Sequence, residues 1–199
     1  MENKKRCFWC SLKNPVYVKY HDEEWGRACF DDAYLFEMLI LEGFQAGLSW
    51  ECVLNKRKAF LKAFDGFDYN AVAAYSQNKL EELYLDEEII RNKRKINAAV
   101  QNAAVYQGIL AEFGSFYAYL RTFWDGETVY ENDRTSSPLS DAISKDLKKR
   151  GMSFVGTTII YSYLQAIGVI NSHDCDCFLY IKSGERKNEC DKNLHGKNV

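Results

Sequence analysis

The segment 34–50, YLFEMLILEGFQAGLSW, constrains the fold more than any other part of the chain. It predicts a helix that is apolar on nearly every side, and such a helix is buried. Its end carries four polar or aromatic side chains around two glycines: Glu42, Gln45, Ser49 and Trp50. A buried carboxylate is costly unless it is paired or functional. Glu42 therefore either has a structural partner, which would be a neighbouring backbone N–H group or an arginine, or it belongs to a functional site.

The composition predicts an all-α protein. The 199 residues include only two prolines, Pro15 and Pro138. No segment shows a convincing alternation of apolar and polar residues, which would indicate a strand. We expect helices over 87–110, 140–150 and 156–168, irregular structure over 1–30, and a polar loop over 125–138. Residues 1–182 are predicted to form a single domain, and the charged segment 183–199 a frayed tail.

Seven cysteines in a chain without a signal-peptide pattern or a run of 18 apolar residues indicate a reducing, cytoplasmic environment and no membrane span. There, clustered Cys and His indicate metal ligands more often than disulfides. Each end of the chain carries half of such a set, and together they would join the termini through one zinc. The halves are Cys7, Cys10 and His21, and His173, Cys175 and Cys177. The spacing leaves the choice among these cysteines open, and buried free thiols are the alternative.

A basic turn near the C-terminal end predicts an anion site. Residues 148–158, KKRGMSFVGTT, read as helix, glycine-bounded turn and helix. Such a turn exposes backbone N–H groups at the start of its second helix, where they can bind a phosphate. The basic residues beside it favour DNA, although the net charge of −2 does not. An ordinary tight turn is the alternative.

Five segments then show a family resemblance: YHDEEWG (20–26), LEGFQAGLSW (41–50), EEIIRNKRKINAAVQNA (87–103), SDAISKDLKKRGMSFVGTTIIYSYLQAIG (140–168) and NSHDCDC (171–177). In this order they resemble the 3-methyladenine DNA glycosylase I family. The resemblance implies the all-helical fold of helix-hairpin-helix DNA glycosylases, with irregular termini joined by one structural zinc. It implies four zinc ligands: Cys7, His21, His173 and Cys177.

The resemblance also implies a pocket that reads the damaged base. Its acidic residue, to which a catalytic role is assigned, falls on Glu42. Its aromatic residues fall on Tyr20 and Trp50, with three others nearby: Trp9, Tyr17 and Trp25. Phe8 and Phe44 differ from the glycine and glutamine of family members, and we expect Phe44 to alter the shape of the pocket.

The implied activity is hydrolytic removal of 3-methyladenine from alkylated double-stranded DNA. Between Thr157 and Gly168 there is neither a carboxylate base nor a lysine that would form a Schiff base, so we expect hydrolysis without a lyase step. We expect a monomer. The expected DNA contacts comprise the hairpin and the turn after the buried helix: Lys149, Arg150, Gly151, Gly156, Thr157, Gly47 and Leu48.

Two other functions compete with this interpretation. One is a non-catalytic DNA-binding module whose chain ends are joined by zinc and which uses only the hairpin, and it would not need Glu42, Tyr20 and Trp50 together. The other is a helical zinc protein without a nucleic-acid role, which would show no salt-dependent affinity for DNA.

Overall fold

The computed structural model describes residues 4–181. The predicted tail, 183–199, therefore lies outside the described residues. Within them ten α-helices dominate: α1 Pro15–Glu23, α2 Asp32–Gln45, α3 Trp50–Asn55, α4 Arg57–Ala63, α5 Tyr69–Ala73, α6 Gln77–Leu85, α7 Lys93–Phe113, α8 Phe116–Leu120, α9 Pro138–Lys149 and α10 Thr157–Ala166. A short 3₁₀ turn, Asp65–Phe67, follows α4. No helix among the described residues is long and apolar enough to cross a membrane.

The buried helix α2 is the centre of the fold. The Asp31 side chain caps its start by accepting hydrogen bonds from the backbone N–H groups of Ala33 and Tyr34. Every residue from Tyr34 to Phe44 is buried, because α2 packs against α3, α7, α8 and α10. The last turn of α2 is thus held from several sides, which fixes the position of any side chain it carries.

Two short strands correct the expectation that the chain contains none. Strand β1, Val129–Tyr130, pairs in parallel with β2, Ile170–Asn171, with Val129 opposite Ile170. Strands of two residues are too short to show an alternating pattern in the sequence. The pairing joins the polar segment after α8 to the segment that follows α10.

Two helix boundaries also differ from expectation. Helix α1 lies inside the segment predicted to be irregular, and its signals are Asn14 as the capping residue and Pro15 in the first turn. Helix α7 begins at Lys93, because the Asn92 side chain caps it there by accepting from the N–H of Lys95. The residues before it, from 86 to 92, are not helical.

Candidate active site

A cavity of about 410 Å³ opens beside the C-terminal end of α2. Its size is in the range of small-molecule sites. One wall is aromatic and contains the five aromatic residues expected at the base pocket: Trp9, Tyr17, Tyr20, Trp25 and Trp50. Tyr17 and Tyr20 are three residues apart and therefore lie on one face of α1. The rings of Tyr20 and Trp50 lie 5.3 Å apart at 47°.

Glu42 lines the same cavity and is only 3% exposed. Its Oε2 atom has no hydrogen-bond partner among the described residues, and neither has the Nε1 atom of Trp50. The alternative that Glu42 pairs with an arginine fails for Arg57, which binds Glu24 and Glu37 instead. Burial raises the pKa of the Glu42 carboxyl to about 8. Two side chains that line the cavity, Glu42 and Trp50, thus each carry a buried polar atom without a hydrogen-bond partner among the described residues.

Phe44 does not shape this cavity, contrary to expectation. It is 1% exposed and packs against Phe60 and Phe64, with ring centroids 4.6 and 5.9 Å away. Two residues along a helix correspond to a rotation of about 200°, so Phe44 points away from Glu42. Gln45, three residues after Glu42, faces the cavity instead.

A polar wall, absent from the sequence predictions, closes the other side of the cavity. It consists of Asn132, Asp133, Arg134, Thr135, Ser162, Gln165, Ser172 and Asp174. The segment 132–135 reaches this position because β1 precedes it and pairs with β2. Ser162 and Gln165 are three residues apart in the mostly buried second half of α10, and this polar pair was the available sequence signal.

Four buried side chains from the two ends of the chain form a cluster that could hold a metal ion: Cys7, His21, His173 and Cys177. Their ligand atoms all lie within 4.8 Å of one another. Cys7 Sγ is 3.4 Å from His173 Nδ1, and Cys177 Sγ is 3.5 Å from His21 Nε2. Burial, and then His21, lower the pKa of His173 to about 4, so its imidazole is neutral, as a metal ligand requires.

The surroundings of the cluster orient its members. The Nδ1 atom of His21 lies 2.8 Å from Asp22, whose carboxylate also accepts two hydrogen bonds from Arg6. Such a carboxylate–histidine contact is typical of metal sites. Two cysteines from the same segments stay outside the cluster: Cys10 is buried near the carbonyl of Tyr17, and Cys175 is exposed.

The cluster lies directly behind the aromatic wall. The rings of Trp25 and His173 meet edge to face at 4.7 Å, and the rings of Trp9 and His21 lie 5.2 Å apart. Movement of the histidines would therefore displace the tryptophans that face the cavity.

The segment predicted to form the hairpin comprises the end of α9, the connection 150–156 and the start of α10, and the two helices pack against each other. Gly151 has φ +104°, a left-handed conformation that favours glycine, and Gly156 precedes α10 without a side-chain cap. The N–H groups that begin α10 are thus not bound by a capping side chain. The Thr157 hydroxyl is engaged with α9, where it donates to Asp141 and contacts Ser140.

The two basic residues expected at the hairpin differ in their surroundings. Lys149 is exposed, whereas Arg150 forms ion pairs with Glu112 and Asp146 at 2.6 Å. In the turn after α2, Gly47 has φ +77° and Leu48 is 42% exposed, which leaves an apolar side chain in solvent beside the cavity's helix.

Comparison with known proteins places this arrangement in a family. The family model described as methyladenine glycosylase matches residues 9–180. DNA-3-methyladenine glycosylase 1 of Escherichia coli (strain K12) is 43% identical over 182 residues, which cover 88% of this chain and 97% of that protein. The DNA-3-methyladenine glycosylase of Haemophilus influenzae is 36% identical over 180 residues, which cover 86% and 97% of the two chains.

A crystal structure of 3-methyladenine DNA glycosylase I shares the fold, with a TM-score of 0.83 and 42% identity over 89% of this chain and 100% of that one. A tyrosine-to-phenylalanine variant of 3-methyladenine DNA glycosylase I in complex with 3-methyladenine has a TM-score of 0.80, with 32% identity over 83% and 92% of the two chains. The chain belongs to the methyladenine glycosylase family.

Proposed function

We propose that this protein is a DNA-3-methyladenine glycosylase, which excises the methylated base from alkylated DNA by hydrolysis. The relatives that bear this name, and the related structure with 3-methyladenine bound, support the activity. The single observation that carries it is the cavity, where aromatic faces surround the unpaired carboxyl of Glu42. A base inside a duplex cannot reach such a cavity, so the nucleotide is extruded into it.

The charge of the damaged base explains selectivity. Methylation at N3 makes the adenine of the nucleotide cationic, and cations are attracted to the faces of Trp50 and Tyr20. A cation beside Glu42 also favours the ionised carboxylate. Entry of the base therefore lowers the raised pKa of Glu42, and the acid releases its proton. Normal adenine is neutral, so it is attracted in this way neither to the aromatic faces nor to the carboxylate of Glu42.

Hydrolysis needs little further assistance from the protein, because the cationic base is already a good leaving group. Water attacks the sugar carbon C1′, the bond from C1′ to the base breaks, and the base leaves with the bonding electron pair as neutral 3-methyladenine. One proton of the attacking water passes to solvent. Glu42 and the aromatic wall act by binding the base and excluding water around it. The products are an abasic site and the free base, without a lyase step.

We propose zinc as the metal of the cluster, with Cys7, His21, His173 and Cys177 as its ligands. Two thiolates and two imidazoles form a closed tetrahedral set, and the observed separations of 3.4 to 3.7 Å between sulfur and nitrogen suit bonds of about 2.0 to 2.3 Å. A closed set leaves no position for substrate. The zinc would therefore be structural and would hold the two chain ends behind the aromatic wall.

The DNA surface of the proposed enzyme combines two elements. The hairpin, with Gly151, Gly156, the backbone of Thr157 and the side chain of Lys149, would bind backbone phosphate as a helix-hairpin-helix module. Because Arg150 is already paired with two carboxylates, its contribution is smaller than the sequence predicted. The exposed Leu48, next to Gly47, would fill the space in the duplex that the extruded nucleotide leaves. We further propose a monomeric domain, residues 1–182, that acts on double-stranded DNA in the cytoplasm.

The direct test is release of base from methylated duplex DNA. We expect the protein to release 3-methyladenine, detected by chromatography, and to leave abasic sites whose strands break only on later treatment with alkali. Undamaged DNA is the control substrate. If stoichiometric protein bound the DNA with salt-dependent affinity but released no base, a non-catalytic binding module would replace the proposed enzyme.

A further inference from the structure

A buried lysine closes the end of the helix that carries Glu42. Lys95 of α7 is 6% exposed, and its ammonium donates hydrogen bonds to the carbonyl oxygens of Phe44 at 2.8 Å and Ala46 at 2.6 Å. The last carbonyls of a helix have no partners within the helix, and that end carries a partial negative charge. The ammonium therefore suits this position, and it ties the start of the 46–49 turn to α7.

A buried asparagine of the same helix holds the hairpin. Asn102 is 4% exposed, and its side chain makes two hydrogen bonds of 2.9 Å to the backbone of Ser153: one donated to the carbonyl and one accepted from the N–H. Ser153 lies in the connection 150–156. The paired contact fixes both the position and the orientation of that connection relative to α7.

The two side chains lie on one face of one helix. They are seven residues apart, which is about two helical turns and a rise of about 10 Å. The two elements that they hold also meet directly. A Cβ atom on Gly43 would lie 3.5 Å from both the Cβ and the carbonyl oxygen of Phe154, so the hairpin connection packs against the last turn of α2. The Phe154 ring lies 6.0 Å from the ammonium of Lys95.

The burial of a charge at this point calls for an explanation. Both hydrogen bonds of the Lys95 ammonium go to neutral carbonyls, and desolvation lowers its pKa. Apolar side chains often replace buried charges without loss of stability. Packing alone would thus be served by a methionine, whereas only a donor at this position holds the carbonyls that begin the 46–49 turn.

We propose that Lys95 and Asn102 are positioning residues that keep the 46–49 turn and the hairpin connection at a fixed separation. Contact of the hairpin with the DNA backbone then places Leu48 at the gap in the duplex and the extruded base beside Glu42. This role rests on the proposed function, because it concerns the same DNA surface. Neither side chain lines the cavity, so neither is expected to touch the base.

The test compares Lys95→Met with Lys93→Met, which removes an exposed lysine of the same helix. Hydrogen exchange of the backbone amides in residues 46–49 should accelerate at least about tenfold in Lys95→Met, since a charge-assisted anchor is lost, and stay unchanged in Lys93→Met. Exchange in residues 35–42 should not change. Asn102→Leu should instead accelerate exchange over 151–156. Unchanged exchange of the turn in Lys95→Met would refute the anchoring role.

Activity separates positioning from general destabilisation. Lys95→Met should slow excision from methylated DNA about 10- to 100-fold, while its affinity for free 3-methyladenine stays within about twofold of wild type. Because Lys95 acts through the turn, the double variant Lys95→Met/Leu48→Ala should be no slower than the slower single variant. Additive losses, or an equal loss of free-base affinity, would overturn the proposal.

The Lys95→Gln variant and the activity of the wild type show whether Lys95 anchors the turn even if Lys95→Met does not fold. Lys95→Gln retains a donor on a shorter side chain, so it should fold even if Lys95→Met does not, and its exchange and excision rates should be intermediate. A wild-type protein that released no base would refute the proposed function, while the exchange data would still decide whether Lys95 anchors the turn.

Discussion

Replacement of Glu42 by glutamine should stabilise the fold while it slows excision of the base. The carboxyl is buried, its Oε2 atom has no hydrogen-bond partner among residues 4–181, and its pKa is raised from the ordinary value of 4.5 to about 8. The folded protein therefore binds a proton that the unfolded chain releases between these two pH values. The contribution of Glu42 to stability is largest below about pH 4.5 and falls as the pH rises toward 8. The glutamine side chain does not titrate in this pH range, so the Glu42→Gln variant does not lose stability in this way as the pH rises.

The magnitude follows from the width of this interval. Each pH unit within it removes about 1.4 kcal/mol of folding free energy, or about 3 kcal/mol between pH 4.5 and pH 7. For a domain of this size, about 3 kcal/mol corresponds to a melting-temperature shift of about 6 to 12 °C. Burial of the glutamine amide has its own cost, but that cost does not vary with pH. The informative quantity is therefore the change with pH in the stability difference between variant and wild type.

The assay is urea unfolding of both proteins at about pH 5.5 and about pH 7.5, a range that avoids acid protonation of the cluster of Cys and His side chains. The advantage of Glu42→Gln should grow by about 2.5 kcal/mol between the two values. Glu81→Gln, at an exposed carboxylate, is the control and should change stability by less than about 0.5 kcal/mol. A stability difference that does not vary with pH would refute the view of Glu42 as a buried, unpaired acid.

The same proton predicts the pH dependence of catalysis. Because the carboxylate is the form that complements a cationic base, kcat/KM of the wild type should rise with pH and level off above about pH 8. Glu42→Gln should lose about 1.5 to 3 kcal/mol of transition-state binding and show no such rise. Excision by the variant at the wild-type rate would contradict the role of the carboxylate.

Three other predictions concern the metal, the pocket and the DNA surface. Metal analysis of protein purified without chelator should find one zinc per chain. Cys177→Ser should lower the free energy of unfolding by more than about 4 kcal/mol, whereas Cys175→Ser, at an exposed cysteine, should lower it by less than about 0.5 kcal/mol. The reverse order of the two effects would reassign the ligands. Trp50→Ala should weaken binding of free 3-methyladenine about 5- to 150-fold by calorimetry, and an unchanged affinity would remove Trp50 from the base site. Lys149→Met should reduce the salt slope of DNA binding by about one, and an unchanged slope would exclude a phosphate contact.

Within one helix, the sequence predicted much of the site. The apolar run of α2 indicated its burial. The spacing of residues in a helix also places Phe44 on the opposite face of α2 from Glu42 and Gln45. The sequence interpretation instead placed Phe44 at the pocket because it is close to Glu42 along the chain, and this prediction was wrong. Ser162 and Gln165 were missed because a polar pair on a buried helix has many structural explanations.

The cavity's polar wall depended on contacts that no local pattern encodes. Asn132 to Thr135 lie in a segment that looked like an ordinary polar loop, and they reach the cavity because β1 pairs with a strand about 40 residues away in the chain. A two-residue strand contains no periodic signal, so its partner is decided by packing alone. The contacts of Lys95 also depend on packing, because the sequence shows it only as one of several basic residues in the run RNKRK at 91–95.

The sequence by itself determined the helical class, the two half-sites of Cys and His, the glycine-bounded hairpin and the acid at the end of a buried helix. Each of these depends on residues within a few turns of one another, where spacing and side-chain chemistry suffice. Only the tertiary structure decided that Cys7 Sγ lies 3.4 Å from His173 Nδ1, that Oε2 of Glu42 has no hydrogen-bond partner among the described residues, and that Lys95 and Asn102 bind the 46–49 turn and the connection 150–156. These facts depend on chain segments that are from 49 to 166 residues apart, and packing of the whole core brings them together.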